Sequence, residues 1–129
     1  MVIKRFVLLL LPLAGCVAVM QVEDVITLPP PQKVRSQSAG QKLTIFWQAG
    51  PEAHVPGFNG YLLYVSPRSM AGLTLADLPA PIAINRGLTS HTLTVGDSLT
   101  LFIQVRSRVG RNRISLPSLP ELVIKPATP

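Results

Sequence analysis

The feature that most constrains this fold is an alternating stretch near the C-terminal end of the chain, LTLFIQVR at residues 99–106. Every second residue is a large aliphatic side chain, and the set is Leu99, Leu101, Ile103 and Val105. A β-strand turns successive side chains to opposite faces, so this pattern places all four on one face. The stretch therefore predicts a half-buried strand rather than a helix.

Two further stretches alternate in the same way, KLTIFW at 42–47 and GYLLYV at 60–65. Glycine, proline, asparagine and serine lie between the alternating stretches, as expected for turns that join strands. Helical spacing of apolar residues does not continue beyond a turn or two. Several short strands separated by turns predict an all-β protein, built as a small sandwich.

The N-terminus has the layout of a secretory signal. Lys4 and Arg5 precede an apolar run at residues 6–13, which is shorter than the roughly 20 residues that a helix needs to cross a bilayer. Small residues, Ala14 and Gly15, follow the run at the place where a peptidase would cleave. We therefore expect residues 1–15 to be removed.

The residues Leu13-Ala14-Gly15-Cys16 resemble the lipobox of bacterial lipoproteins. That resemblance implies a diacylglyceryl group on the Cys16 thiol, cleavage before Cys16 and frequent acylation of the new amino terminus. The alternative is a conventional signal with a chance cysteine, but the chain has no second cysteine for a disulfide. Position 17 is valine and not aspartate, and by resemblance to the sorting rule of diderm bacteria we expect attachment to the outer membrane of the bacterial envelope.

Composition indicates a single domain that relies on its packed core. The chain has 129 residues, and residues 17–129 contain no cysteine. The formal charge is +6, which falls to about +4 with the signal removed. This modest excess fits anionic lipid head groups or polyanions, and we expect no nucleic-acid partner.

Three segments, KLTIFW, GFNGYLLYV and TSHTLTVGDSLTLFIQVRSRVGRNRISLPS, together resemble a fibronectin type III domain from about Pro31 to Lys125. The resemblance implies a seven-stranded immunoglobulin-like sandwich with Trp47 in its core. The expected strands are 33–37, 42–48, 60–66, 81–85, 90–95, 99–108 and 113–124. The expected neighbours of Trp47 are Leu43, Ile45, Tyr61, Leu63, Leu101, Ile103 and Val105.

The chain departs from the family pattern at Leu101, where the family usually has a tyrosine that ties down the preceding bend. The last strand contains Pro117 and Pro120, which lack the backbone N–H that an inner strand needs and therefore favour an edge position.

The expected organisation is a signal peptide at 1–15 and a lipidated N-terminus with a proline-rich tether at 16–32. The domain at 33–125 and a short tail at 126–129 follow. Fully extended, the tether would reach about 55 Å.

No group of residues predicts catalysis, so we expect a non-enzymatic protein with no metal and no cofactor apart from the lipid on Cys16. His54 and His91 lack ligand spacing, and Glu52 beside His54 is expected to be solvated surface. Ser90, His91 and Asp97 occur without a nucleophile elbow, and phosphate-binding glycine motifs are absent.

Two sets of residues are candidates for binding a partner. Arg106, Arg108, Arg111 and Arg113 surround a turn at Gly110 and would hold phosphate or carboxylate groups, unless they simply solubilise the hairpin.

The second candidate set is an apolar patch on the outside of the sandwich. If Leu63 and Val65 point inward, then Leu62, Tyr64 and Phe102 point outward beside Gln104 and Arg106, forming an exposed patch on adjacent strands. The alternatives are that the connection from Met70 to Pro81 covers this face, or that the patch is ordinary surface apolarity.

These features favour a membrane-anchored interaction or structural module that docks a protein partner in a bacterial envelope assembly. An alternative is a lipoprotein that binds a polyanion or glycan, such as lipopolysaccharide or peptidoglycan, through the turn at 106–113. A third is an enzyme accessory subunit or small hydrolase.

Overall fold

The computed structural model describes residues 28–96 and 99–126. The signal, Cys16 and Asp97 lie outside the described residues. Within them the chain forms eight β-strands and two short 3-10 turns, Pro51–His54 and Leu75–Asp77. The strands are β1 Gln32–Ala39, β2 Lys42–Gln48, β3 Phe58–Ser66, β4 Ile82–Asn85, β5 Ser90–Thr94, β6 Leu101–Val109, β7 Arg113–Ile114 and β8 Leu122–Ile124.

The strands form two antiparallel sheets. Sheet A has the order β1-β2-β5, and sheet B has the order β4-β3-β6-β7 with β8 also paired to β6. The prediction of an all-β sandwich is confirmed, and the first six strands lie within two residues of their predicted bounds. Burial alternates along β2, as period-two spacing predicts, whereas the middle residues of β3 and β6 are buried on both faces.

The core lies between the inner faces of the two sheets. Trp47 from β2 packs edge-on against Tyr61 from β3, with ring centroids 5.3 Å apart. The buried cluster contains Leu43, Ile45, Trp47, Tyr61, Leu63, Ile84, Ile103 and Val105, and Leu101 packs against it half-buried. The predicted surroundings of Trp47 are therefore confirmed. Burial of each large apolar side chain contributes roughly 1.5–3 kcal/mol.

The predicted final strand, 113–124, is wrong as a single element. It is divided into two short strands, β7 and β8. Both pair with β6 on the side opposite to β3. Pro117 and Pro120 interrupt it because proline has no N–H to donate to a ladder. Between β7 and β8, serine hydroxyls accept hydrogen bonds from backbone N–H groups of β6. Ser115 Oγ accepts from Ser107 N at 2.9 Å, and Ser118 Oγ accepts from Val105 N at 3.0 Å.

A bulge near the start of β3 brings two backbones unusually close. The register with β6 shifts between Phe58 and Gly60, and Gly60 has a φ of 122°. A Cβ at this position would collide with the carbonyl oxygen of Ile84 on β4. Glycine is therefore required here both for the backbone angle and for the space.

The packed body begins before the predicted boundary at residue 33. Leu28 is 3% exposed, and Pro29 O accepts a hydrogen bond from Ser107 Oγ at 2.8 Å. The proline-rich segment at 29–31 is therefore docked on the domain and does not act as a free tether along its whole length. In the ranges that the structure describes, no helix has the length and apolar character needed to cross a membrane.

Candidate functional site

The outer face of sheet B is covered, and this corrects the prediction of an exposed apolar patch. Leu62 and Tyr64 lie on this face as predicted, yet they are only 4% and 3% exposed. They pack with Met70, which is 1% exposed, and Phe102 packs half-buried at the border of the same cluster. Leu62 and Tyr64 therefore offer no surface to a partner.

The cover is the connection between β3 and β4, residues 67–81, which we call the covering segment. A carboxylate 52 residues away in sequence holds one end of it: Glu121 Oε1 accepts from Ser69 Oγ at 2.6 Å. Glu121 Oε2 accepts from Met70 N at 2.8 Å. Further along, Leu78 packs against the cluster of Leu62, Tyr64 and Met70. The segment consequently shields the sheet with a second, smaller apolar layer.

Arg106 lies under this cover with its guanidinium largely removed from water. It is 6% exposed, and its Nε donates to Gln104 Oε1 at 2.8 Å. Nη1 donates to Ser115 O at 3.2 Å, and the guanidinium carbon lies 5.8 Å from the centroid of the Tyr64 ring. Burial lowers the pKa of Arg106, because the interior disfavours its charge. Both hydrogen bonds are to uncharged groups, and neither of them uses Nη2.

The four arginines near the turn do not form one cluster, so the predicted four-arginine site is wrong in its geometry. Arg108 is opposite Ile114 and Arg113 is opposite Val109 across the β6–β7 pair. Because adjacent residues of a strand face opposite sides, Arg113 lies on the other face of the sheet from Arg106 and Arg108. Arg111 is exposed at the tip of the turn.

Arg108 adds a second unusual cation to the face that carries Arg106. Its Nε is buried without a hydrogen-bond partner among the described residues. Both guanidinium groups lower the pKa of Tyr64, against the larger effect of burial, which raises it. The outer face of sheet B therefore holds two close positive charges.

A groove opens above Arg106 between the covering segment and the end of β7. It has a volume of about 500 Å³ and is lined by Met70, Gly72, Leu73, Thr74, Leu75, Arg106, Ile114, Ser115, Leu116 and Pro117. We call it the Arg106 groove. Its leucines are partly exposed: Leu73 by 41%, Leu75 by 47% and Leu116 by 67%. The groove thus has apolar walls and a cation in its lining.

The sequence pattern indicated Arg106 but not the residues that form the walls of the groove. The available signal was the repeated Ser-Leu-Pro at 115–120. The proline in each repeat interrupts strand pairing. Leu116 is therefore not part of a strand that would turn its side chain toward the core. The prediction that Glu52 is solvated surface is wrong. Its side chain is fully buried and accepts a hydrogen bond from Tyr61 Oη at 2.8 Å.

The histidines and Ser90, for which the sequence predicted no catalytic role, lie on two different elements. His54 and Ser90 are exposed on different elements, and His91 is half-buried on β5. Among the residues that the structure describes, no three His, Cys, Asp or Glu side chains are grouped to hold a metal ion.

No protein-family model matches the chain, and no curated protein matches it. Several solved structures, in contrast, are similar to this chain. A Fn3-like protein from Clostridium thermocellum superposes with a TM-score of 0.56 at 22% identity, over 79% of this chain and 96% of that one. The FN1-FN3 domains of chicken CNTN1 give 0.57 at 15% identity, over 76% of this chain and 30% of theirs.

A third solved structure, described as a myokine, gives a TM-score of 0.52 at 13% identity, over 77% of this chain and 98% of that one. The strand order supports the same architecture, with β1, β2 and β5 facing a sheet built around β3 and β6. At these identities the likeness concerns the fold alone. The described part of this chain therefore has the fibronectin type III-like sandwich fold that its sequence motifs predicted.

Proposed function

We propose that this chain is a non-enzymatic, lipid-anchored interaction module that docks a protein partner in a bacterial envelope assembly. The observation that carries the proposal is the Arg106 groove, whose exposed leucines and buried cation lie on one face of a rigid sandwich. Apolar surface with an arginine is typical of protein interfaces. The lipobox residues 13–16 supply the membrane attachment.

The strength of the proposed membrane attachment depends on the number of acyl chains on Cys16. One acyl chain holds a protein only weakly, while two or three chains on Cys16 would make attachment effectively permanent. Leu28 is already docked on the body, and it lies twelve residues after Cys16. Twelve residue steps span at most about 40 Å, so the domain would work close to the outer membrane surface.

The described carboxylates support a role without catalysis. Glu52 is bonded to Gly50 N and Tyr61 Oη, Glu121 holds the covering segment, and Asp77 accepts from Thr74 Oγ1 at 3.0 Å. Each of these groups is thus occupied in structural contacts. The polyanion alternative is less well supported, because the arginines of the turn diverge and only Arg111 stands exposed at its tip.

The proposal is tested in cells of a diderm bacterium that express the full chain. Metabolic labelling with palmitate should mark the wild type and fail to mark Cys16→Ala, and fractionation should move the wild type to the outer membrane. In-cell crosslinking of the wild type should then capture an envelope protein. An unlabelled wild type, or a fully labelled Cys16→Ala, would overturn the anchor. Absence of any protein crosslink would overturn the interaction role.

A further inference from the structure

We propose that the Arg106 groove binds a segment of the partner protein that presents a carboxylate flanked by apolar side chains. This inference rests on the proposed function and identifies the chemistry of the partner. Three features of the molecule support it: the charge in the groove lining, the apolar walls and the strand edge beside the groove.

The charge of the groove calls for an anionic ligand. Burial of a cation without an anion is costly, and Arg106 is 94% removed from solvent among uncharged groups. Arg108 projects from the same face two residues along, about 7 Å away by strand geometry, just outside the groove lining, and its Nε has no hydrogen-bond partner among the described residues. The three carboxylates that the structure describes are engaged by other residues. A carboxylate from outside would complete this site, because its two oxygens match the paired N–H groups of a guanidinium.

The walls of the groove are apolar. Leu73 and Leu75 stand on the covering segment, and Leu116 stands on the opposite side. A volume of about 500 Å³ admits a few side chains and is suited to a short peptide segment. Apolar walls recognise aliphatic or aromatic groups, whereas a glycan or a phosphate cluster would leave these leucines without a partner. The ligand is therefore both acidic and apolar.

The strand edge beside the groove limits how a partner can bind. A partner strand cannot extend sheet B continuously at this edge, because Pro117 and Pro120 lack N–H donors and the serine hydroxyls fill the gap. Recognition must instead come from side chains that enter the groove. The carboxylate would bind Arg106 while its neighbours contact the leucines.

The first test uses the full mature chain in detergent micelles and two probes, acetyl-Leu-Glu-Leu-amide and its neutral counterpart acetyl-Leu-Gln-Leu-amide. Calorimetry should show at least tenfold tighter binding of the glutamate peptide. Arg106→Met, which keeps the apolar stem, should remove that preference, a loss of about 10- to 100-fold. The matched control is Arg35→Met on the exposed face of sheet A, which should bind as the wild type does.

Leu116→Asp is the second variant, because an exposed position carries little risk to folding. Its negative charge at the groove should also weaken the glutamate peptide at least tenfold, while Leu119→Asp outside the groove should not. Equal binding of both probes to the wild type would overturn the inference. So would a preference that survives in Arg106→Met and Leu116→Asp.

The second test places a photo-crosslinking residue at Leu75 in the groove and, as a control, at Thr92 on sheet A in cells. Mass spectrometry should find, from Leu75 alone, a segment of another protein with an acidic residue or carboxy terminus beside apolar residues. A crosslink to residues 17–27 of this chain, to a second copy or only to lipid would overturn the inference. Crosslinks to a partner from Thr92 alone would overturn the inference about the Arg106 groove but would leave the proposed interaction function in place.

Discussion

The hydroxyl of Tyr61 donates a hydrogen bond to Glu52 Oε2 across 2.8 Å inside the sandwich. Both side chains are almost completely buried, and the carboxylate also accepts from Gly50 N at 2.8 and 3.0 Å. The 3-10 turn at Pro51–His54 aims the carboxylate inward. The pair therefore joins a surface loop to the aromatic centre of the core, where Tyr61 also contacts Trp47 and Phe58.

Replacing Glu52 by Ala should destabilise the fold. The change leaves Gly50 N and Tyr61 Oη without their partner, and each buried unsatisfied group costs about 1–3 kcal/mol. Urea denaturation should show the free energy of unfolding lowered by about 3 kcal/mol. His54→Ala, an exposed neighbour in the same turn, should change it by less than about 0.5 kcal/mol. Equal stability of Glu52→Ala and the wild type would contradict this account.

Stability should fall at alkaline pH because of the buried tyrosines. Burial, followed by the hydrogen bond and charge of Glu52, raises the pKa of Tyr61 above its ordinary 10.0, and burial raises that of Tyr64. Above about pH 10 the unfolded chain releases these protons while the folded chain keeps them. The stabilising contribution is thus complete below pH 10 and is lost as pH rises toward the folded pKa.

The matching measurement is the free energy of unfolding between pH 9 and pH 12. Each tyrosine contributes a slope of up to about 1.4 kcal/mol per pH unit. Tyr61→Phe should reduce the slope, and Tyr61→Phe with Tyr64→Phe should reduce it further. Ultraviolet absorbance should show less tyrosinate at pH 10 in the folded wild type than in the unfolded chain. Identical slopes in all three proteins would show that neither tyrosine controls this behaviour.

Gly60→Ala should be among the most damaging small substitutions in the chain. The new methyl group would meet the carbonyl of Ile84, and the φ of 122° is unfavourable for any L-residue. We expect a loss of at least about 3 kcal/mol by thermal denaturation. Gly110→Ala is the control, because its φ is also positive but nothing lies near its Cβ, and it should cost about 1 kcal/mol. A smaller loss at Gly60 than at Gly110 would contradict the bulge geometry.

The serine hydroxyls at the broken edge strand should matter individually. Ser115→Ala and Ser118→Ala each leave a buried N–H of β6 unpaired, on Ser107 and Val105 respectively. Each should lower the free energy of unfolding by about 1–3 kcal/mol in urea titrations. Ser38→Ala, at an exposed position of β1, should be close to neutral. Neutral changes at 115 and 118 would mean that these hydroxyls are replaceable by water.

Glu121→Ala should loosen the covering segment more than the sandwich. It removes the acceptor of Ser69 Oγ and Met70 N while leaving the two-sheet core intact. Hydrogen exchange followed by mass spectrometry should show faster exchange at residues 69–78, with little change in β2 and β6. Asp77→Asn, within the segment but away from Glu121, is the control. Unchanged exchange at 69–78 would show that apolar packing alone holds the cover.

The inward-facing residues were predictable because their signal is local. Alternation in β2, β3 and β6 assigned Leu43, Ile103 and Val105 to the core, since the period of two follows from the geometry of a strand. Trp47 followed from the same pattern and from resemblance to a known family. The final strand failed because proline breaks the ladder, and the position of Ser115 and Ser118 depends on partners in β6.

The sequence by itself determined the fold class, the composition of the core and the existence of a strand face that carries Leu62, Tyr64 and Arg106. Only the tertiary structure decided that this face is covered, that Arg106 and Arg113 are on opposite sides of the sheet, and that Leu116 borders a groove. The physical reason is that a repeating pattern specifies which side of a strand is apolar. What lies against that side is set by contacts such as Glu121 with Met70, which join residues 51 positions apart.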